Sequence, residues 1–163
     1  MALAFWLLRW PFSAPAWPQS WHHQNLQNSK TAAAPQTGVF VIETKGRSKP
    51  INDGAKQFKV RVENDALYFP NHMETEPLEQ VRRNVTSVRN WLNSATGNDV
   101  PVGGILVLPG WFVDLRQKSI SPYVVNPSAL PKLLHQFRVG TLEISQIQAI
   151  AYQVEQKIRD VAK

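Results

Sequence analysis

The fold is decided by the stretch Val39-Phe-Val-Ile-Glu43-Thr-Lys45. Its apolar, β-branched run is typical of a strand that is buried on both faces. Glu43 and Lys45 are two residues apart, so in an extended chain their side chains point to the same face. An ion pair at a strand end is the simplest interpretation of these two charges. Because a carboxylate and an ammonium are costly to desolvate there, they are also candidate site residues.

Strand and helix patterns follow this stretch. Alternating apolar residues around an Asn64-Asp65 turn predict a hairpin over residues 56–69. Pro77 then stands at the start of a helix, where proline is favoured, and Gly97-Asn98 ends it. Apolar residues at helical spacing give this helix one buried face: Leu78, Val81, Val85, Val88 and Leu92.

The second half of the chain continues the alternation. A buried strand is expected over 104–108, an extended segment from 111 to 125, and a short helix from 126 to about 137. A last helix is expected to begin with a capping box of Ser145 and Gln148. Its apolar stripe is Ile147, Ile150, Ala151, Val154, Ile158 and Val161. Strands and helices therefore alternate, and the fold class is α/β or α+β.

Residues 1–37 differ in composition from residues 38–163, which are expected to form the domain. No Asp or Glu precedes Glu43, four of the six tryptophans lie in the first 21 residues, and prolines interrupt any regular element. Two interpretations stay open. The segment is an irregular or disordered leader, or it is not native to the domain and comes from a frameshift or a misassigned start codon.

Charge and composition restrict the partners. The formal charge of +6 and the pI near 9.8 favour an acidic partner, and nucleic acid is the commonest one. Because there are no cysteines, disulfides and thiolate metal sites are excluded. The apolar run from Ala2 to Leu8 is too short to cross a membrane, so a cytoplasmic protein is the default. Nothing indicates a small-molecule cofactor, and the oligomeric state stays open.

The stretch from Gly38 to Lys45 resembles the active-site strand of the nuclease-related domain, a branch of the PD-(D/E)XK nuclease superfamily. In that family, a glycine and an aromatic lead into an apolar run that ends in Glu-x-Lys. Residues 76–80 resemble the family's Pro-x-x-Gln, and residues 100–113 and 126–134 resemble the segments that follow. The resemblance implies a truncated restriction-endonuclease-like fold, with a mixed central β-sheet flanked by helices.

The resemblance also implies a site. Glu43, Lys45 and Gln80 would be the catalytic residues, and Glu43 would hold Mg²⁺ or Mn²⁺. Such a metal polarises the phosphate and lowers the pKa of a bound water, while the lysine offsets charge on the transition state. DNA is the implied partner. The residues expected to contact it are Arg47, Lys49, Arg82 and Arg83, for which a solvated loop and helix face is the simpler interpretation.

One departure from the family weakens this prediction. The superfamily places an acidic residue on the strand before Glu-x-Lys, and none precedes Glu43 here. One carboxylate is a poor Mg²⁺ site, and nothing in the sequence leads us to expect Asp53 to complete it. We therefore expect a metal-dependent nuclease relative that is inactive or only weakly active. The alternatives are a non-catalytic DNA-binding module and an interaction protein anchored to a membrane by residues 2–8.

Overall fold

A computed structural model describes residues 3–6, 37–50, 57–117 and 120–161. These residues form a mixed α/β fold with two four-stranded sheets and three helices. In chain order, the elements are β1 (Leu3–Trp6), β2 (Val39–Thr44), β3 (Lys59–Glu63), β4 (Ala66–Tyr68), β5 (Met73–Glu74), α1 (Glu76–Thr96), β6 (Val102–Val107), β7 (Phe112–Leu115), β8 (Tyr123–Val125), α2 (Leu130–Gln136) and α3 (Ile144–Val161).

The first sheet has the order β1-β2-β6-β8, and all of its pairings are parallel. Strand β2 pairs with β6 from Val39–Val102 to Thr44–Val107. Every residue of β6 is buried, as are the first four of β2, which is expected when helices cover both faces of a parallel sheet. Both buried strands predicted from the sequence are confirmed, although β6 begins at Val102 rather than at residue 104.

The second sheet has the order β5-β4-β3-β7 and combines antiparallel with parallel pairings. The mixed pairing that was expected of the central sheet is therefore found in this second sheet. The predicted hairpin is confirmed as β3 and β4. Asn64 and Asp65 have φ of 50° and 56°, which matches the twist of a tight hairpin turn. The extended segment expected over 111–125 is divided, because β7 pairs with β3 whereas β8 returns to the first sheet beside β6.

Helices cover both faces of the first sheet. Val39 and Val41 point from β2 toward α1 and α3, where they join one apolar cluster with Leu92 and Ile150. Phe40 and Ile42 point to the opposite face, and the partly buried residues packed there include Leu130, Leu133, Leu134 and Phe137 of α2 and its end. The alternation of the buried strand thus decides which helix each of its side chains meets.

Helix α1 has the ends that the sequence predicts. Pro77 lies in its first turn with Glu76 and Glu79, which suit the positive end of the helix dipole. Gly97 adopts a left-handed conformation with φ of 69° and donates its backbone N–H to the carbonyl of Asn93 at 2.9 Å.

The other two helices begin elsewhere than expected. Residues 127–129 form a turn because the Asn126 side chain accepts the N–H of Ala129 at 2.9 Å, so α2 starts at Leu130. The capping box predicted at Ser145 is wrong. Gln146 Oε1 instead accepts the N–H of Glu143 at 2.9 Å, which sets the start of α3 at Ile144.

The apolar stripe of α3 is only partly buried. Ile150 is fully buried, and Ile147 and Val154 pack against the same cluster. Ile158, which the stripe pattern also placed on the buried face, is 61% exposed. Helical spacing predicts a shared face, but the length of helix that meets the sheet decides how much of that face is covered.

Part of the expected leader takes a regular form, since residues 3–6 are strand β1, parallel to β2. Pairing there satisfies backbone groups along one side of β2 that would otherwise form a sheet edge. Residues 1–2 and 7–36 lie outside the described residues, as does Asp53. In the described ranges, no helix combines the length and apolar character that a membrane crossing requires.

Candidate functional site

Three of the residues predicted from the sequence meet at the carboxyl end of β2. The alternation that turns Val39 and Val41 toward α1 continues to Glu43, and Gln80 lies in the first turns of that helix. Gln80 Nε2 donates a long hydrogen bond of 3.4 Å to Glu43 Oε1. Lys45 Nζ lies 3.1 Å from the same oxygen. The carboxylate thus has an amide on one side and an ammonium on the other.

The two charged side chains of this cluster are accessible but largely enclosed. The side chain of Glu43 is 13% exposed and that of Lys45 is 24% exposed. The backbone N–H of Lys45 donates to the carbonyl of Val107 at 3.0 Å, which extends the β2–β6 pairing past the last strand residue. Lys45 is therefore held by backbone pairing, and its ammonium can reach solvent.

The loop after Lys45 is tied down by Arg47. Its guanidinium grips the Glu74 carboxylate through Nε at 2.8 Å and Nη2 at 2.7 Å. This hydrogen-bonded pair raises the pKa of Arg47 and lowers the pKa of Glu74. His72 Nε2 lies 2.8 Å from Glu74 Oε1, and Trp111 Nε1 donates to the Arg47 carbonyl at 3.3 Å. The chain therefore leaves the sheet along a defined path.

Glu74 and Trp111 hold the loop beside this cluster, a role that the sequence did not reveal. Both residues contact Arg47, which lies 27 residues from Glu74 and 64 from Trp111. A local sequence pattern cannot reveal contacts across such separations. In the sequence, Arg47 follows the end of β2 without a neighbouring acidic residue, which indicates that a carboxylate from another segment should pair with it.

The four residues expected to contact nucleic acid are not equivalent. Arg47 is paired with Glu74. Arg82 pairs with Asp65 at 2.7 Å, and Arg83 pairs with the acidic first turn of α1. Lys49 is exposed and has no ion pair with any described residue. The arginines would have to exchange carboxylate partners for phosphates, whereas Lys49 would not.

The described residues do not fit a Mg²⁺ site. No group of three histidine, aspartate or glutamate side chains converges within the described ranges. Glu43 is the carboxylate of the cluster, and its Oε1 is already engaged by an ammonium and an amide. The Thr44 hydroxyl has no partner among the described residues, but strand alternation turns it to the other face. Mg²⁺ bound through a single carboxylate keeps most of its water ligands and binds weakly, so this donor set is a poor site for it.

Residues 33–109 match the family model described as the nuclease-related domain. The matched range contains β2 through β6 with Glu43, Lys45 and Gln80, while the resemblance noted for residues 126–134 lies outside it. Searches of curated proteins and of solved structures found no match.

Proposed function

Since residues 33–109 match the nuclease-related domain model, we propose that this chain acts on DNA at the carboxyl end of β2 and hydrolyses it weakly or not at all. The family's place in the PD-(D/E)XK superfamily agrees with the mixed α/β fold. The observation that carries the proposal is the cluster of Glu43, Lys45 and Gln80, with its single carboxylate.

Contact with DNA follows from the cations beside that cluster. Lys45 and Lys49 lie on one short loop that leaves the sheet, and the whole chain carries a formal charge of +6. Lysines that neutralise phosphates release condensed counterions, which is the main source of affinity in sequence-independent binding. Lys45 would exchange its contact with the Glu43 carboxylate for a phosphate oxygen.

Weak hydrolysis follows from the missing oxygen ligands. The Lys45 ammonium is placed to offset charge that builds on a phosphate, and Gln80 orients Glu43. Neither side chain activates a water. Mg²⁺ or Mn²⁺ remains the cofactor that the family resemblance implies, but the described residues hold only one carboxylate for it.

A non-catalytic DNA-binding module is the second candidate function. The observation that favours it is the ion pair between Glu43 and Lys45, which keeps the charged groups in place without a metal. The two candidates share the DNA-binding surface and differ only in residual cleavage. The membrane-anchored alternative gains no support, because residues 3–6 of its anchor pair with β2 as a strand.

The test is DNA binding by the full chain, measured by fluorescence anisotropy between about 50 and 200 mM salt. We expect Lys45→Gln to weaken binding and to reduce the salt slope by about 1, as loss of one phosphate contact predicts. Lys132→Gln is the matched control, because Lys132 is an exposed lysine in α2. A DNA affinity that changes neither with salt concentration nor in Lys45→Gln would contradict the proposal.

Cleavage is assayed in parallel with Mg²⁺ and with Mn²⁺. We expect little or none, and any activity should depend on the metal and vanish in Glu43→Ala and in Lys45→Ala. Activity that survives both substitutions would show that the reacting site lies elsewhere.

A further inference from the structure

A cavity of about 180 Å³ opens beside the loop that leaves β2. Its walls come from three separate segments, which are loop residues 48–50, the β4–β5 turn from Phe69 to His72, and Trp111 after β6. The Arg47–Glu74 pair and the hydrogen bond from Trp111 to Arg47 hold these segments together. None of the functions described above uses this cavity.

Three aromatic rings give the cavity its shape. Phe69 and His72 stack with centroids 4.9 Å apart and planes 15° apart, and Trp111 meets Phe69 edge-on at 76°. Phe69 and Trp111 are 6% and 2% exposed, so they are fixed walls. The His72 side chain is 48% exposed and stacks on Phe69, so much of its ring remains available to a ligand.

Polar groups stand at the rim of the same cavity. Lys49 and Asn71 line it, both are exposed, and neither has a hydrogen-bond or ion-pair partner among the described residues. Lys49 is four residues beyond Lys45 on the same loop. A phosphate at Lys45 or Lys49 would therefore lie close to the mouth of an aromatic pocket.

The volume restricts what can enter. Drug-sized ligands occupy pockets of about 300 to 1,000 Å³, whereas a cavity of about 150 Å³ holds one benzene ring. A cavity of about 180 Å³ therefore suits a single six-membered ring and not a base pair. Bases within a duplex are stacked on their neighbours, so a base enters such a pocket only from a single strand or after it leaves the stack.

We propose that this pocket receives one unstacked pyrimidine base of the bound DNA, so that the preferred DNA has a single-stranded tail or frayed end. The base stacks on the His72 ring, Asn71 faces its polar edge, and Lys49 contacts the adjoining phosphate. The inference rests on the proposed DNA-binding function and specifies its substrate class.

The test measures the affinity of the full chain for three DNAs. One is a blunt duplex, the second carries a short thymine tail, and the third carries the same tail without bases. Stacking of one base on an aromatic side chain predicts that the thymine tail binds about 5- to 150-fold tighter than the other two. The abasic tail has the same phosphates, so it separates base recognition from charge.

Substitutions of His72 then test whether its ring is responsible for the preference for the thymine tail. His72→Ala should remove the tail preference, and His72→Phe should retain it, because the ring is kept while the contact with Glu74 is lost. His135→Ala is the matched control, since His135 is an exposed histidine in α2. For each variant, the tail preference is taken as the ratio of tailed-DNA affinity to blunt-duplex affinity measured with the same protein.

The outcomes separate the two proposals. Equal affinity for the three DNAs, or a tail preference that survives His72→Ala, overturns the pocket while leaving DNA binding intact. Absence of binding to all three DNAs overturns the proposed function and this inference together. The comparison of tails uses the wild-type chain, so it stands even if a variant fails to fold.

Discussion

The amide nitrogen of Gln80 lies 3.4 Å from Glu43 Oε1, which joins the first turns of α1 to the end of β2 across 37 residues of sequence. Lys45 approaches the same oxygen at 3.1 Å. A neutral amide orients the carboxylate but adds no negative charge to the cluster. The Glu43 carboxylate and the Lys45 ammonium therefore offset each other, and this balance underlies the first two predictions.

Glu43→Gln should tighten DNA binding in buffer without divalent metal. The substitution removes a negative charge beside the Lys45 ammonium, which lessens repulsion of the phosphate. Two unit charges about 4 Å apart in water interact by about 1 kcal/mol, so the expected gain in affinity is about 5-fold at low salt. Anisotropy measures it, with Glu143→Gln at an exposed position as the control. Weaker binding in Glu43→Gln would show that the carboxylate itself supports DNA contact.

Mg²⁺ should not stabilise the protein in the absence of DNA. A ligand that binds only the folded state raises the free energy of unfolding, but one carboxylate holds this ion too weakly to do so. We expect added Mg²⁺ or added EDTA to shift the unfolding midpoint by less than about 1 °C, below the roughly 2–4 °C that 1 kcal/mol produces in a domain of this size. A rise of several degrees would mean that residues outside the described ranges complete a metal site.

Glu74→Gln should destabilise the fold at neutral pH by about 1–2 kcal/mol, because the substitution leaves Arg47 without its charged partner. The pKa of Glu74 is lowered in the folded state, chiefly by the hydrogen bond from Arg47. The Glu74 carboxylate therefore contributes fully to the free energy of unfolding above its unfolded pKa of about 4.3. This contribution is lost as pH falls through the lower pKa of the folded state.

Urea unfolding of wild type and Glu74→Gln between neutral and acidic pH measures this difference. The gap in free energy of unfolding should narrow only in the acidic range. If the difference in free energy of unfolding between wild type and Glu74→Gln stayed constant down to low pH, the carboxylate charge would not be the cause of the destabilisation.

Gly104→Ala should destabilise the fold by about 1–3 kcal/mol, the usual cost of overpacking a core. A Cβ at this position in β6 would come within 2.6 Å of Val81 Cγ1 and 2.9 Å of Val85 Cγ2. Gly46→Ala is the matched control, because a Cβ there meets nothing within 4 Å. Chemical denaturation compares the two, and equal stability of both variants would show that α1 sits farther from β6 than described.

Elements with a strong local pattern were predictable. The buried run of β2, the Asn64-Asp65 turn and helix α1 between Pro77 and Gly97 all follow from periodicity and turn or cap residues. The start of α3 was misplaced by two residues, because Gln146 and Gln148 are both chemically able to complete a capping box. The division of residues 111–125 between two sheets was not predictable, since strand pairing depends on distant partners.

For this protein, the sequence alone determined that Glu43 and Lys45 share a face at the end of a buried strand, because the two-residue period of a strand is a local property. It also determined that residues 1–42 contain no Asp or Glu. Only the tertiary structure decided that Gln80 meets Glu43 and that Arg47 is paired with Glu74. It likewise decided that rings from separate segments enclose a pocket, since such contacts depend on how helices and sheets pack.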